Sequence, residues 1–247
     1  MIRISLVSYC NTLPFKAALE SSGYIKKNAI LKESHPAQCA YDIENNLADI
    51  SLVPVGALKE SDKYKVITDY CLSANKKVES VLLLSEKPRS EITSILLDYQ
   101  SKTSVKLIKI IANKFWKNNF KYIDAKPGFE DGITGNIAAV IIGDRALELR
   151  NSHPFVYDLA EEWYSYTNLP VVFAVWVAKN DISSDFMFNF NSVLSSGIKS
   201  IKKVAQKYAC NYQGFDLEHY LTNCIDYRFD EKKRESMAKF LQLTQEI

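Results

Sequence analysis

One unit recurs along these 247 residues: an apolar strand, a short polar turn, then a helix. "IRISLVSY" runs into Asn11-Thr12 and a helix from about Pro14. "ADISLVPV" runs into Gly56 and a short helical stretch. "TSILLDY" leads through "QSKTS" to the amphipathic run "VKLIKIIANKFWKNN", and "IAAVIIG" leads to Asp144 and "RALELR". Between the first two units, Pro36 opens a further helical stretch, "AQCAYDIENNLA". Strands alternating with helices predict an α/β fold built on mostly parallel sheet.

Two runs break the alternation. "ESVLLLSE" (79–86) and "VVFAVWVAK" (171–179) have strong β propensity, and no partner strand follows promptly. The roughly 90 residues between them suffice for a small lobe. After the second run, a helical tail begins near Asp185, with apolar residues at helical spacing in "FNSVLSSGIKSIKKVAQKYA" and "ESMAKFLQL". The expectation is two α/β lobes with a ligand cleft between them. Lobe one is 1–86 plus 180–247, lobe two is the inserted 87–179, and the two runs are the crossing strands.

In open α/β sheets, ligands bind beyond the carboxyl ends of the strands. The four strand–helix turns therefore nominate the site: Asn11 with Thr12, the Pro54-to-Gly56 turn, Ser101 with Thr103 and Ser104, and Gly143 with Asp144. Ser80, beside the first crossing run, can reach the same cleft. These groups are mostly hydroxyls, an amide and helix starts, which together suit a small anion. On local sequence alone, Ser101, Thr103 and Asp144 are equally helix caps, and Asn11 either caps a helix or faces the ligand.

Other chemistries find little support. The net charge is +2 and the basic residues are scattered, which argues against nucleic acid. The densest charged run, Glu231 to Glu235, reads as a solvated helix face. The three histidines are far apart in sequence, the five cysteines lack C-x-x-C spacing, and no nucleotide-binding glycine loop occurs. No metal site and no cofactor are therefore expected. The odd cysteine count reads as reduced thiols in a cytoplasmic protein, and neither a signal peptide nor a membrane-spanning run is seen. Trp116, Trp163 and Trp176 sit in apolar runs and are expected in the core.

The stretches "SYCNTLPF", "ADISLVPVGAL", "ESVLLLSEKP", "LDYQSKTSVKLIKI", "VIIGDRAL" and "DLAEEWYSYTNLPVVFAVW" resemble, in order, the chorismate dehydratases of the futalosine route to menaquinone. Two positions depart from that pattern: Cys10, where an apolar residue such as leucine is expected, and Ala160, where glycine is usual. The resemblance implies a type II periplasmic-binding-protein fold. It also implies loss of water from chorismate to give 3-[(1-carboxyvinyl)oxy]benzoate, without a cofactor. It further implies that Asn11 and Ser80 are the catalytic pair. Thr12, Ser101, Thr103, Ser104, Gly143 and Asp144 are then expected to bind substrate, in a monomer or homodimer.

Three rivals stay open at this level: a 1,4-dihydroxy-6-naphthoate synthase-like enzyme of the same pathway, a non-enzymatic carboxylate-binding protein, and a ligand-sensing regulatory domain. The "SYCNTLP" turn favours the dehydratase over the first. The last has no helix-turn-helix in this chain to report to.

Overall fold

A computed structural model describes residues 1–58 and 64–247. The chain opens with β1 (Ile2–Val7), a 3-10 turn over Cys10–Thr12, α1 (Leu13–Ser21), α2 (Gly23–Asn28), β2 (Ala29–Ser34), α3 (Pro36–Glu44) and β3 (Ile50–Pro54). Pro14 and Pro36 sit in the first turns of α1 and α3, where a missing N–H costs nothing. After a second 3-10 turn at Val55–Ala57 comes β4 (Tyr64–Ala74).

The chain then crosses to β5 (Val81–Ser85) and β6 (Ser94–Leu97). It continues through α4 (Lys102–Ile110), which runs on as a π-turn to Trp116, then β7 (Lys121–Asp124), β8 (Ile137–Ile142), α5 (Asp144–Leu149), β9 (Phe155–Asp158) and α6 (Leu159–Thr167). It returns as β10 (Val171–Lys179) and ends in α7 (Ser184–Lys199), α8 (Ile201–Tyr208), α9 (Leu217–His219) with a π-turn over Tyr220–Cys224, β11 (Asp226–Arg228) and α10 (Glu231–Thr244).

Two sheets result, ordered β11-β4-β10-β3-β1-β2 and β7-β6-β8-β5-β9. They are mixed rather than mostly parallel. β1 pairs parallel with β2 and β3, and β6 with β7 and β8, whereas β10, β5 and β11 pair antiparallel. The two runs that break the alternation are these antiparallel insertions. Each joins the sheet it enters: Val81–Leu84 pairs with Ile142–Ala139 in the second sheet, and Ala174–Ala178 pairs with Pro54–Ile50 in the first. The change of sheet thus falls before β5 and before β10, earlier than the 86/87 and 179/180 limits expected from sequence. An apolar run announces a buried strand, but only the pairing register says in which sheet.

Both connections between the sheets carry non-glycine residues in the left-handed region, Lys76 and Glu79 in the first and Asn168 in the second. The core of the first sheet centres on Trp176, which meets Phe190 edge-on at 5.0 Å and Phe15 at 5.8 Å between centroids. Trp163 and Trp116 are buried as expected. The C-terminal helix reaches the second lobe, where Ser236 accepts a 3.1 Å hydrogen bond from the Trp163 indole. Lys233 departs from the solvated-face expectation: it is 2% exposed and pairs with Asp226 at 2.6 Å and Asp230 at 2.9 Å. Two carboxylates compensate its desolvation and pin α10 to β11.

Candidate functional site

The four strand ends named from sequence converge. Asn11 follows β1, Pro54 ends β3, Ser101 to Ser104 follow β6 and Gly143 follows β8, and all these turns line one cleft. Ser80, from the first connection, and Phe173, on β10, also line it. The enclosed volume is about 50 Å³, against about 300–1,000 Å³ for pockets that bury a small ligand. In this form the cleft is too small to enclose a ligand of that size.

Asn11 carries the clearest sign of a binding role. Its side chain caps neither the 3-10 turn nor α1, and its Oδ1 is buried without a hydrogen-bond partner. Leaving such an oxygen unpaired costs about 1–3 kcal/mol, and a ligand donor in the cleft removes that cost. The two ends of an amide are nearly isosteric, so a half-turn presents its N–H₂ instead. The backbone beneath is held by Tyr227, whose hydroxyl donates to the Asn11 carbonyl at 2.9 Å.

Ser80 is buried, and its Oγ accepts a 2.7 Å hydrogen bond from the Tyr220 hydroxyl. With that acceptor site used, the serine hydroxyl is directed to donate elsewhere. Ser101 both caps α4, accepting from the Ser104 amide at 2.9 Å, and lines the cleft, so the two sequence readings coexist. The start of α4, the positive end of its dipole, thus borders the cleft, with its Ser104 amide taken by the Ser101 hydroxyl.

Three nominated residues serve the frame. Thr103 lines the cleft, but its hydroxyl donates to the Phe173 carbonyl at 2.8 Å and accepts from the Gly56 amide at 3.0 Å, tying α4 to the first lobe. Thr12 is buried outside the cleft lining, its hydroxyl donating to the carbonyls of Val7 and Tyr9 at 2.6 and 2.8 Å. Asp144 accepts from the Cys10 amide at 3.0 Å, across the two lobes, and burial pushes its carboxyl up. Gly143 is required by its φ of +67° and by Tyr9, whose ring lies 2.9 Å from where a Cβ would stand.

Sequence reasoning missed Tyr9, Phe173 and Tyr220. Tyr9 lines the cleft and donates to Gln100, and burial pushes its phenol up. Tyr9 was legible in principle as the aromatic beside the asparagine turn. Tyr220 carried no signal, because only the fold brings it to Ser80. No lysine, arginine or histidine is among the described residues that line the cleft. Arg145 is near, but it is paired with Asp98 at 2.6 Å and with Glu130. The polar side chains among the described residues that line the cleft are hydroxyls and an amide, with no carboxylate or basic group.

A family model described as menaquinone biosynthesis matches residues 2–246. The chain belongs to the menaquinone biosynthesis family. It is 24% identical to the chorismate dehydratase of Thermus thermophilus, over 97% of this chain and 93% of that protein. Among solved structures, a protein from Archaeoglobus fulgidus superposes with TM-score 0.78 at 12% identity, covering 99% of this chain and 97% of that one. A Candida albicans protein described as having the generic periplasmic-binding-protein fold superposes with TM-score 0.64 at 11% identity, covering 100% and 90%. The menaquinone family member thus has the periplasmic-binding-protein-like fold, and no described helix is long and apolar enough to cross a membrane.

Proposed function

We propose that the chain is a chorismate dehydratase, eliminating water from chorismate to give 3-[(1-carboxyvinyl)oxy]benzoate in the cytoplasm. The observation that carries this reading is the orphaned Asn11 Oδ1 in a cleft walled by neutral donors. The reaction suits such a cleft. The proton lost sits on the ring carbon bearing the ether, vinylogous to the ring carboxylate, so negative charge spreads into that carboxylate as the proton leaves. Donors at the start of α4 stabilise it there. Departure of the neighbouring hydroxyl makes the ring aromatic, which drives the step forward.

With no basic side chain among the described residues lining the cleft, the substrate's enolpyruvyl carboxylate takes the proton and passes it to the departing hydroxyl, which leaves as water. The protein's part is to hold the reactive conformer. In this scheme Asn11 meets the reacting edge of the ring, Ser80 donates from the position Tyr220 gives it, and Tyr9 and Phe173 close on the ring faces. Thr103, Thr12 and Asp144 act by positioning the walls, a more modest role than direct contact.

The test is incubation of chelated, dialysed protein with chorismate, followed by mass and absorbance. The expected result is stoichiometric appearance of an aromatic product one water lighter than chorismate. Tight binding of chorismate with no conversion favours the carboxylate-binding protein instead.

A further inference from the structure

His219 and Cys224 stand five residues apart, a spacing that puts them on different sides of an α-helix. Here the segment Tyr220–Cys224 is a π-turn, closed by the Ile225 amide donating to the Tyr220 carbonyl at 3.3 Å. The wider turn brings the two side chains to one side, and π-turns recur at functional sites. Glu79 of the first connection reaches the same point. The carboxylate, imidazole and thiol atoms of Glu79, His219 and Cys224 all lie within 4.8 Å of one another.

Glu79 is held there by its backbone. It has a φ of +63°, uncommon for a residue with a side chain, and its amide and that of Val78 donate to Asp158 at 2.7 and 2.9 Å. The Asn223 amide lies 3.1 Å from His219 Nδ1; turned so that its oxygen accepts from Nδ1–H, it would orient the ring and leave Nε2 free for a cation. His219 is exposed, and Glu79 also lines an open cleft of about 490 Å³, so two of the three groups are reached from solvent.

We propose that Glu79, His219 and Cys224 form a three-ligand site for a borderline divalent cation, zinc foremost, that pins the first inter-lobe connection to α9. One oxygen, one nitrogen and one sulfur suit zinc, with the fourth tetrahedral position left to water. Ligand atoms around zinc stand about 3.5 Å apart, so the three groups draw in by an ångström or so, within reach of side-chain rotation at Glu79 and His219.

The site abuts the cleft. Glu79 precedes Ser80, and His219 precedes Tyr220, so the cation brackets the 2.7 Å Tyr220–Ser80 hydrogen bond. Pinning the connection also restrains the hinge, and bound zinc therefore slows turnover. That coupling rests on the reading of Ser80 as part of the substrate site, whereas cation binding itself does not.

The experiment titrates the whole chain with cobalt(II) alone, in buffer free of thiols and chelators. The expected result is one equivalent bound, with a thiolate-to-cobalt charge-transfer band that Cys224→Ser abolishes. His219→Ala and Glu79→Gln, at positions not in the core, should each weaken binding at least about tenfold. Absence of the band, a band that follows the exposed Cys210 instead, or binding indifferent to His219→Ala overturns the site. Zinc should then slow chorismate turnover in the parent but not in His219→Ala. A site that binds cobalt as described while zinc leaves turnover unchanged overturns the coupling alone.

Discussion

The Tyr220 hydroxyl donates a 2.7 Å hydrogen bond to Ser80 Oγ, joining residues 140 positions apart inside a buried wall of the cleft. Ser80→Ala leaves that phenol buried without an acceptor, which should cost about 1–3 kcal/mol. Adding Tyr220→Phe removes the stranded group and should restore part of the loss. Urea unfolding of the two single variants and the double variant measures this directly. A double variant no more stable than Ser80→Ala would mean that the pair is not coupled.

Gly56 is a close approach between the lobes. A Cβ there would stand 2.5 Å from the Lys102 carbonyl oxygen, at the start of α4. Backbone cannot yield as a flexible side chain can, so Gly56→Ala should push α4 away and cost about 1–3 kcal/mol. The same shift should loosen the Thr103 tie to Phe173. Chorismate affinity, read by calorimetry, is expected to fall along with stability.

Asp49 joins the start of β3 to β1 and β10. It accepts from the Arg3 amide at 2.9 Å and the Arg3 guanidinium at 2.6 Å, and pairs with Lys179 at 3.2 Å. The Arg3 guanidinium, opposed in part by burial, holds the Asp49 carboxyl well below the usual carboxylate range. A carboxyl lowered in the folded state binds more protons when unfolded. Its stabilisation is present above an unfolded value of about 4 and is lost as pH falls below that. The melting temperature of Asp49→Asn should lie below the parent's at pH 7, and the gap should narrow in acid. A gap independent of pH would contradict the assignment.

The cleft of about 50 Å³ is too small for its proposed ligand, and its walls come from both lobes. Lys76, Glu79 and Asn168 place uncommon backbone geometry in both connections, where a hinge absorbs rotation. Small-angle scattering should show a free protein more extended than this closed form, contracting when a stable dicarboxylate mimic of chorismate saturates it. An unchanged radius of gyration would remove the hinge from the account.

The turns that line the cleft were more legible than the topology. Turn chemistry is local, and Asn11, Ser101 and Gly143 announced themselves as polar or glycine residues ending apolar strands. Sheet membership is not local: nothing in "ESVLLLSE" says that it pairs with 139–142. Thr12, Thr103 and Asp144, like Ser101, each engage a backbone group, and polar turn sequence alone does not separate such a framing role from ligand contact. Tyr220 and the Glu79–His219–Cys224 group lie beyond sequence reasoning, since a π-turn and a chain crossing create them.

The central claim rests on Asn11. Its side chain caps no helix and its Oδ1 meets no partner, so Asn11→Ala should leave the melting temperature of the free protein no lower than the parent's, and raise it as the unpaired oxygen is removed, whereas loss of a true cap would cost about 0.5–2 kcal/mol. Single-turnover conversion of chorismate by folded Asn11→Ala protein is the decisive measurement. The account predicts a fall on the order of 100–1,000-fold, the usual cost of one group that stabilises developing charge. A folded variant converting chorismate at the parent's rate would contradict it.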